Sequence, residues 1–266
     1  MRKAILIFMI FLVCLPVFSQ DVVSKALMGH EPIYFLFALP NDQVKLQLSF
    51  KYDLLYSLKA GLYLGYTQLM FWDLYNFSSP FEEILFCPEV FWEFRSGYNF
   101  LNDIVFTYVD FLRFSFYSHR SNGQDNTNSR GIETGYIQGQ FGIGSESWRL
   151  GLGLKYHLWT WRKEESNLDY LDYLGPLEAK LFLYSKDNGE KQEELYIKAG
   201  LLGSQKTDLY VNFLEAGIMS RVLLSRFRPY LQFYYGYGES LLFYNHQSIN
   251  DFMELPFRMR VGVILE

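Results

Sequence analysis

Along much of this chain apolar and polar residues alternate with a period of two. Val44, Leu46, Leu48 and Phe50 are apolar where Lys45, Gln47, Ser49 and Lys51 are polar. Near the end, Phe257, Met259, Val261, Val263 and Leu265 oppose Arg258, Arg260, Gly262, Ile264 and Glu266. Successive side chains of a strand point to opposite faces, so the pattern predicts strands with one apolar and one polar face. Runs of this kind, separated by turn residues, predict twelve strands: Ile33–Leu39, Val44–Lys51, Ala60–Phe71, Glu89–Tyr98, Ile104–Ser118, Arg130–Ile143, Trp148–Trp161, Leu177–Ser185, Glu194–Leu202, Leu209–Leu224, Tyr230–Tyr237 and Leu255–Leu265. The fold class expected is all-β, a 12-stranded antiparallel transmembrane β-barrel, apolar set toward lipid and polar set toward the lumen. A half-buried soluble sheet has the same period, so the period alone does not decide between them.

The first residues shift the balance toward export. Arg2 and Lys3 precede an almost unbroken apolar run from Ala4 to Phe18, and Ser19 stands before a polar change at Gln20-Asp21. Residues 1–19 therefore read as a secretory signal peptide, and residues 20–266 as one barrel domain. A lipoprotein reading would use Cys14, but Val13 is bulky where a small residue is expected. After cleavage one cysteine remains, Cys87, which excludes an intramolecular disulfide. No later segment is apolar for long enough to make a transmembrane helix. The 21 Tyr, 25 Phe and 5 Trp favour strands and also populate the aromatic girdles of outer-membrane barrels. A formal net charge of −5 argues against nucleic acid as a partner. The chain ends in Glu266 rather than in a terminal aromatic, a departure from many such barrels.

The densest chemistry lies in Tyr117-Ser118-His119-Arg120-Ser121-Asn122-Gly123, followed by Ser129-Arg130-Gly131-Ile132-Glu133. His119 and Ser121 are two apart, so on a strand both point to one face, about 7 Å apart along the chain. That is a spacing for a base and a nucleophile. Glu133 falls in the next predicted strand, where it would orient the histidine. If His119 faces outward under strict alternation, however, so does Arg113, at a cost of ~2–4 kcal/mol near the bilayer midplane. A β-bulge between Phe116 and His119 would resolve the conflict, because one extra residue changes the face. Gly131, Gly135 and Gly139 share the parity of Glu133, which leaves either a shallow groove on that face or strand curvature. His30, His157 and His246 are scattered without metal-ligand spacing, and no phosphate-binding glycine loop appears.

Several ordered blocks resemble one family. His119-Arg120-Ser121-Asn122-Gly123 is similar to an H-x-S-N-G motif, with Ser129-Arg130 at the matching distance. Upstream stand Tyr66-Thr67-Gln68, Trp72 and Ser78-Ser79-Pro80-Phe81. Downstream stand Gly236-Tyr237-Gly238-Glu239-Ser240-Leu241, Tyr244-Asn245 and Arg260-Val261-Gly262-Val263. From about Pro32 to Leu265 the chain resembles the outer membrane phospholipase A family, calcium-dependent dimerising lipases of Gram-negative outer membranes. The resemblance implies an active site on the lipid-facing wall near the extracellular rim. It implies Ser121 as nucleophile, His119 as general base and the Gly123 N–H as an oxyanion donor. It implies Ca2+ held by the Ser129 hydroxyl, the Gln124 backbone carbonyl and Ser78 presented by a partner subunit, with Gln68 in the interface of a homodimer. Two positions depart from the family: Glu133 replaces an asparagine as third triad member, and Asn126 replaces an aspartate in the calcium loop, with Asp125 one position earlier.

The implied activity is calcium-dependent hydrolysis of phospholipid acyl esters, of A1/A2 and lysophospholipase type, activated by dimerisation in the outer membrane. The alternatives are a catalytically silent barrel acting as a channel or structural protein, and a soluble exported barrel that binds a lipophile. Positional and head-group preference are not legible.

Overall fold

Alternation of this kind forces a sheet to bury one face, and closing the sheet on itself removes its edges. The computed structural model describes residues 26–39, 43–55, 61–74, 77–78, 80–100, 106–125, 128–145, 147–161, 169–187, 190–221, 227–242 and 257–265. The expected signal peptide, residues 1–19, lies outside the described residues. Thirteen strands are assigned: β1 (Leu27–Gly29), β2 (Ile33–Leu39), β3 (Gln43–Asp53), β4 (Leu62–Asp73), β5 (Phe81–Phe100), β6 (Phe106–Ser121), β7 (Gly131–Gly144), β8 (Trp148–Trp161), β9 (Leu177–Asp187), β10 (Glu190–Leu201), β11 (Phe213–Met219), β12 (Phe227–Gly236) and β13 (Phe257–Leu265). Among the described residues a short helix, α1 (Tyr170–Leu174), precedes β9.

β1 and β2 are two pieces of one barrel strand, since both pair with β3, at Leu27↔Tyr52 and at Phe37↔Val44. The break between them, His30 to Pro32, turns inward: His30 bonds Glu89, and Glu31 reaches Arg113. All neighbours are antiparallel, β13 pairs with β2, and β3 pairs with β4, so the sheet closes as a twelve-stave barrel. The strand ends Asp53, Phe100, Gly144, Asp187 and Met219 lie at one end of the barrel, and Leu39, Asp73, Ser121, Trp161, Leu201 and Gly236 at the other. Consecutive strands are for the most part separated by more residues of sequence at the second end, the asymmetry of outer-membrane barrels, whose long loops face outward.

The apolar side chains are outside. Leu48, Trp92, Leu152, Leu181, Ile197 and Val261 are exposed on the wall, while Lys45, Lys51, Glu93, Arg113, Arg228 and Arg260 are buried in the lumen. Arg113 thus escapes the lipid. It donates two bonds to Glu93, which also accepts from Lys51 at 2.6 Å.

Most strand bounds shift by a few residues, and two predicted strands differ more. β5 begins at Phe81 rather than Glu89, because Pro88 is accommodated inside it. Pro88 pairs with Tyr66 on β4, while the pairs with β6 run from Phe86↔Ser121 to Glu89↔Ser118 and skip it. Proline lacks the N–H a ladder needs on that side. β11 begins at Phe213 rather than Leu209, because residues 202–212 fold as a loop over the barrel mouth, and it ends at Met219; residues 222–224 of the expected strand lie outside the described residues. Leu202 and Tyr210 take left-handed backbone there, and the buried Asn212 side chain bonds Gly203 N–H and the carbonyls of Asp172 and Gln205. β1 and α1 were not anticipated by the pattern.

Candidate active site

The site is set by an irregularity in β6. Against β7 the pairing steps from Ser115↔Tyr136 to Ser118↔Thr134, and against β5 from Ser115↔Phe91 to Tyr117↔Val90. Both neighbours therefore see one extra residue in β6, a bulge at Phe116–Tyr117. Before it, Arg113 and Ser115 face the lumen and are buried. After it, Ser118 and Arg120 line the lumen, and Tyr117, His119 and Ser121 face outward. The bulge sits at the early end of the interval expected from the sequence.

On the outer wall His119 pairs with Glu133 and Ser121 with Gly131 across the β6–β7 ladder. Directly opposed residues bring their side chains together. His119 Nδ1 lies 3.6 Å from Glu133 Oε1, an ion-pair separation, and the Tyr117 hydroxyl donates to the same oxygen at 3.1 Å. The rings of Tyr117 and His119 are parallel within 1°, 6.2 Å between centroids. The Gly123 N–H donates to Ser121 Oγ at 3.2 Å, so it is aimed at the region where a tetrahedral intermediate on that oxygen forms. Gly123 has φ +64°, and a Cβ there would stand 3.0 Å from the Phe86 ring. Both features favour glycine.

Asn122 locks this rim. It is buried, its Oδ1 accepts from the Gln124 and Arg130 N–H groups, and its Nδ2 donates to the Asn128 carbonyl at 2.8 Å. The 122–130 loop is thereby closed immediately beyond Ser121. It carries Gln124, Asp125 and Ser129 on one short connection; Asn126 lies outside the described residues. Ser78 sits on the 74–80 turn at the same barrel end, exposed and with φ +66°. Among the described residues no group of three or more His, Cys, Asp or Glu side chains is placed to hold a metal ion. The available donors are a hydroxyl, a backbone carbonyl and a single carboxylate, all hard oxygens, and this chemistry fits calcium and not a transition metal.

Gln68 lies on the outer face of β4, in the row Gln68, Phe86, Ser121, Gly131 across four strands. Its carbonyl oxygen accepts from the Tyr66 hydroxyl at 3.1 Å. Two of the outer glycines leave no open groove: a Cβ at Gly135 would run into the Trp159 indole, and one at Gly139 into Phe141 and Leu112. Gly131, opposite Ser121, is different: a Cβ there would meet only Arg120 O at 3.8 Å and His119 Cε1 at 3.9 Å.

Behind the site the lumen is filled at its mouth. Arg120, between His119 and Ser121 in sequence but inward in space, donates to the Tyr170 hydroxyl at 2.8 Å and to the Glu239 carbonyl at 3.1 Å. The segment 236–242 folds into the barrel. Glu239 meets Lys45 at 2.9 Å, Arg260 at 2.7 Å and Arg258 at 3.3 Å, and Glu83 accepts from Ser240 Oγ and the Leu241 and Leu242 N–H groups. Burial opposes ionisation of Glu239, but the three cations outweigh it and hold its carboxyl far below the usual carboxylate range. Burial pushes the Tyr170 hydroxyl up to about 12. Below this plug a cavity of about 550 Å³ remains, lined by both charged and apolar side chains.

A family model described as Phospholipase A1 matches residues 14–251. The chain belongs to the phospholipase A1 family. It is 28% identical over 233 residues to the phospholipase A1 of Salmonella typhimurium, covering 84% of this chain and 70% of that protein. The barrel is similar in fold to the outer membrane phospholipase A of Escherichia coli, with TM-score 0.67 and 24% identity, covering 92% of this chain and 97% of that one. It is also similar to the outer membrane phospholipase of Salmonella typhi, a dimer with bound calcium, with TM-score 0.64 and 24% identity over 90% of this chain and 92% of that one. This member of the phospholipase A1 family thus has the barrel fold of those outer membrane phospholipases.

Tyr117, Arg120 and Asn122 were not assigned roles from the sequence. Asn122 stood inside the H-x-S-N-G motif, which was a usable signal. Tyr117 and Arg120 were not, because their directions depend on the bulge.

Proposed function

We propose that this enzyme hydrolyses acyl esters of phospholipids through Ser121, His119 and Glu133 on its lipid-facing wall. The observation that carries the reading is the outward placement of all three on adjacent strands, next to a glycine N–H directed at Ser121 Oγ. An ester bond presented from the bilayer meets this wall without leaving the membrane.

His119 takes the proton of Ser121 Oγ as that oxygen attacks the acyl carbonyl. The oxyanion accepts from the Gly123 N–H. Collapse expels the glycerol oxygen, which receives the proton from His119, and leaves an acyl ester on Ser121. Water then attacks this ester, again giving its proton to His119. The fatty acid departs and Ser121 recovers its proton. Glu133 orients the imidazole through Nδ1–H and stabilises the imidazolium. Its 3.6 Å separation tightens on substrate docking, as contacts in free enzymes commonly do. A carboxylate does this orienting at least as well as the family's asparagine, since it also carries charge.

Calcium would be held by the Ser129 hydroxyl, the Gln124 carbonyl and Ser78 presented by a partner subunit, with Asp125 or Asn126 supplying further oxygen. When bound it supplies positive charge to the oxyanion. Dimerisation through the wall around Gln68 would complete the site, which suits a half-buried amide facing lipid. Among the alternatives a silent channel has no use for the His119–Glu133 pairing.

The test is fatty-acid release from phospholipid–detergent mixed micelles by the refolded protein, with calcium, with chelator and with Ser121→Ala. Calcium-dependent release abolished by the substitution supports the reading. Release that survives Ser121→Ala, or no release from a folded dimer, overturns it.

A further inference from the structure

Glu133 is an unusual group for the outside of a membrane barrel. It stands on the lipid-facing wall, yet its side chain is only 9% exposed, so its charge is neither paired in the lumen nor bathed in water. A carboxylate in such a place needs hydrogen-bond donors to remain ionised and correctly turned. Two groups converge on its Oε1. One is the His119 Nδ1 edge; the other is the Tyr117 hydroxyl at 3.1 Å.

Tyr117 is there because of the bulge. In a regular β6 the alternation set by Arg113 and Ser115 would send residue 117 into the lumen. The extra residue at Phe116–Tyr117 turns it outward, two positions before His119 and on the same face. Its ring then lies parallel to the imidazole, and its hydroxyl spans to Glu133 on β7. From the other elements, β5 sets Val90 beside Tyr117 and Phe86 beside Ser121, and β8 sets Trp161 beside Glu133. None of these ladder partners is a residue that ionises.

We infer that Tyr117 is a positioning residue for the Glu133 carboxylate, so that the catalytic group is a Tyr117–Glu133–His119–Ser121 relay. The inference rests on the proposed serine-hydrolase reading and extends it. A hydroxyl–carboxylate bond is charge-assisted and directional. It keeps one carboxylate oxygen toward His119 Nδ1 while satisfying part of the charge that lipid cannot. It also tempers that charge, so the imidazole is not held as imidazolium at neutral pH, when it must accept the Ser121 proton. The arrangement explains how a glutamate works where the family resemblance places an asparagine: the tyrosine supplies the compensation that a neutral amide does not need.

Tyr117→Phe removes only the hydroxyl and keeps the ring. In mixed micelles with calcium, kcat falls about tenfold while KM stays within about twofold, because substrate does not touch the lost atom. The acid limb of kcat/KM against pH moves to higher pH by about half a unit or more, since both Glu133 protonation and imidazolium formation become easier. A lipophilic sulfonyl fluoride reports the same limb through its rate of labelling Ser121. In a Glu133→Gln background the Tyr117→Phe substitution no longer moves the limb, a non-additivity that a general packing role would not produce. Heat-modifiable gel mobility and calcium-dependent cross-linking verify barrel and dimer throughout.

An unshifted limb with wild-type kcat overturns the inference, as does an equal loss in both backgrounds. If wild type is active, Ser121→Ala is silent and Tyr117→Phe is unaffected, only the role of Tyr117 fails. If Ser121→Ala remains active, the underlying hydrolase reading fails with it.

Discussion

The wall at the β6–β7 rim and the lumen behind it are built from alternate residues of the same strand, yet they differ in how their polar groups are held. Inside, carboxylates are buried against several cations: Glu93 takes Arg113 and Lys51, and Glu239 takes Lys45, Arg258 and Arg260. Outside, the proposed reactive groups are a nearly buried Glu133 and a partly exposed His119 and Ser121, with Phe86, Trp92, Phe114 and Phe116 on the same wall. Dense pairing immobilises the lumen and makes it a support. In the proposed mechanism the outer wall instead presents Ser121 and His119 to a bound ester. Under that proposal the barrel puts rigidity and reactivity on opposite faces, with Arg120 joining them through Tyr170 and the Glu239 carbonyl.

If that division is correct, outer-wall substitutions change rate and lumen substitutions change stability. Ser121→Ala lowers ester hydrolysis about a thousandfold or more, with the unfolding transition unchanged. Glu239→Ala leaves three cations facing one another without their carboxylate. It destabilises the barrel by about 3–5 kcal/mol, measured by urea unfolding in detergent or lipid. Leu181→Lys, on the lipid face between Leu152 and Ile197, costs ~2–4 kcal/mol if that position lies near the midplane. The neighbouring inward residue is already lysine, Lys180, bonded to Glu194. Stability loss in Ser121→Ala, or none in Glu239→Ala, would break the comparison.

The smallest effect is on pH. The Glu239 carboxyl is depressed in the folded barrel, so its contribution is complete above the ordinary carboxylate pKa of about 4 and is lost as pH falls from there toward the folded value. Melting of wild type should decline below about pH 4 more steeply than melting of Glu239→Gln, followed by heat-modifiable mobility.

Much of this was legible beforehand where a residue's own type settles the matter. Ile33–Leu39 and Trp148–Trp161 begin and end as the alternation predicts. The H-x-S-N-G motif and Glu133 fall on one rim. Pro88 misled the reading of β5 because proline signals a break, and only the skipped ladder pair with β6 tolerates it. Residues 209–212 read as strand because their apolar content fits one. Asn212 instead holds that loop over the barrel mouth through partners far away in sequence.

The sequence by itself determined the barrel, its inside-out polarity and the residue types at the rim, because a period of two and a short motif are local properties. Tertiary structure alone decided which way β6 faces after Ser115, and hence that His119, Ser121 and Tyr117 share the outer wall. A bulge is defined by counting residues against two neighbouring strands, and no single strand contains that count. The same holds for the plug. Gly236-Tyr237-Gly238-Glu239-Ser240-Leu241 shows as a motif in the chain, but Lys45, Glu83, Arg120, Arg258 and Arg260 become its partners only when the barrel closes.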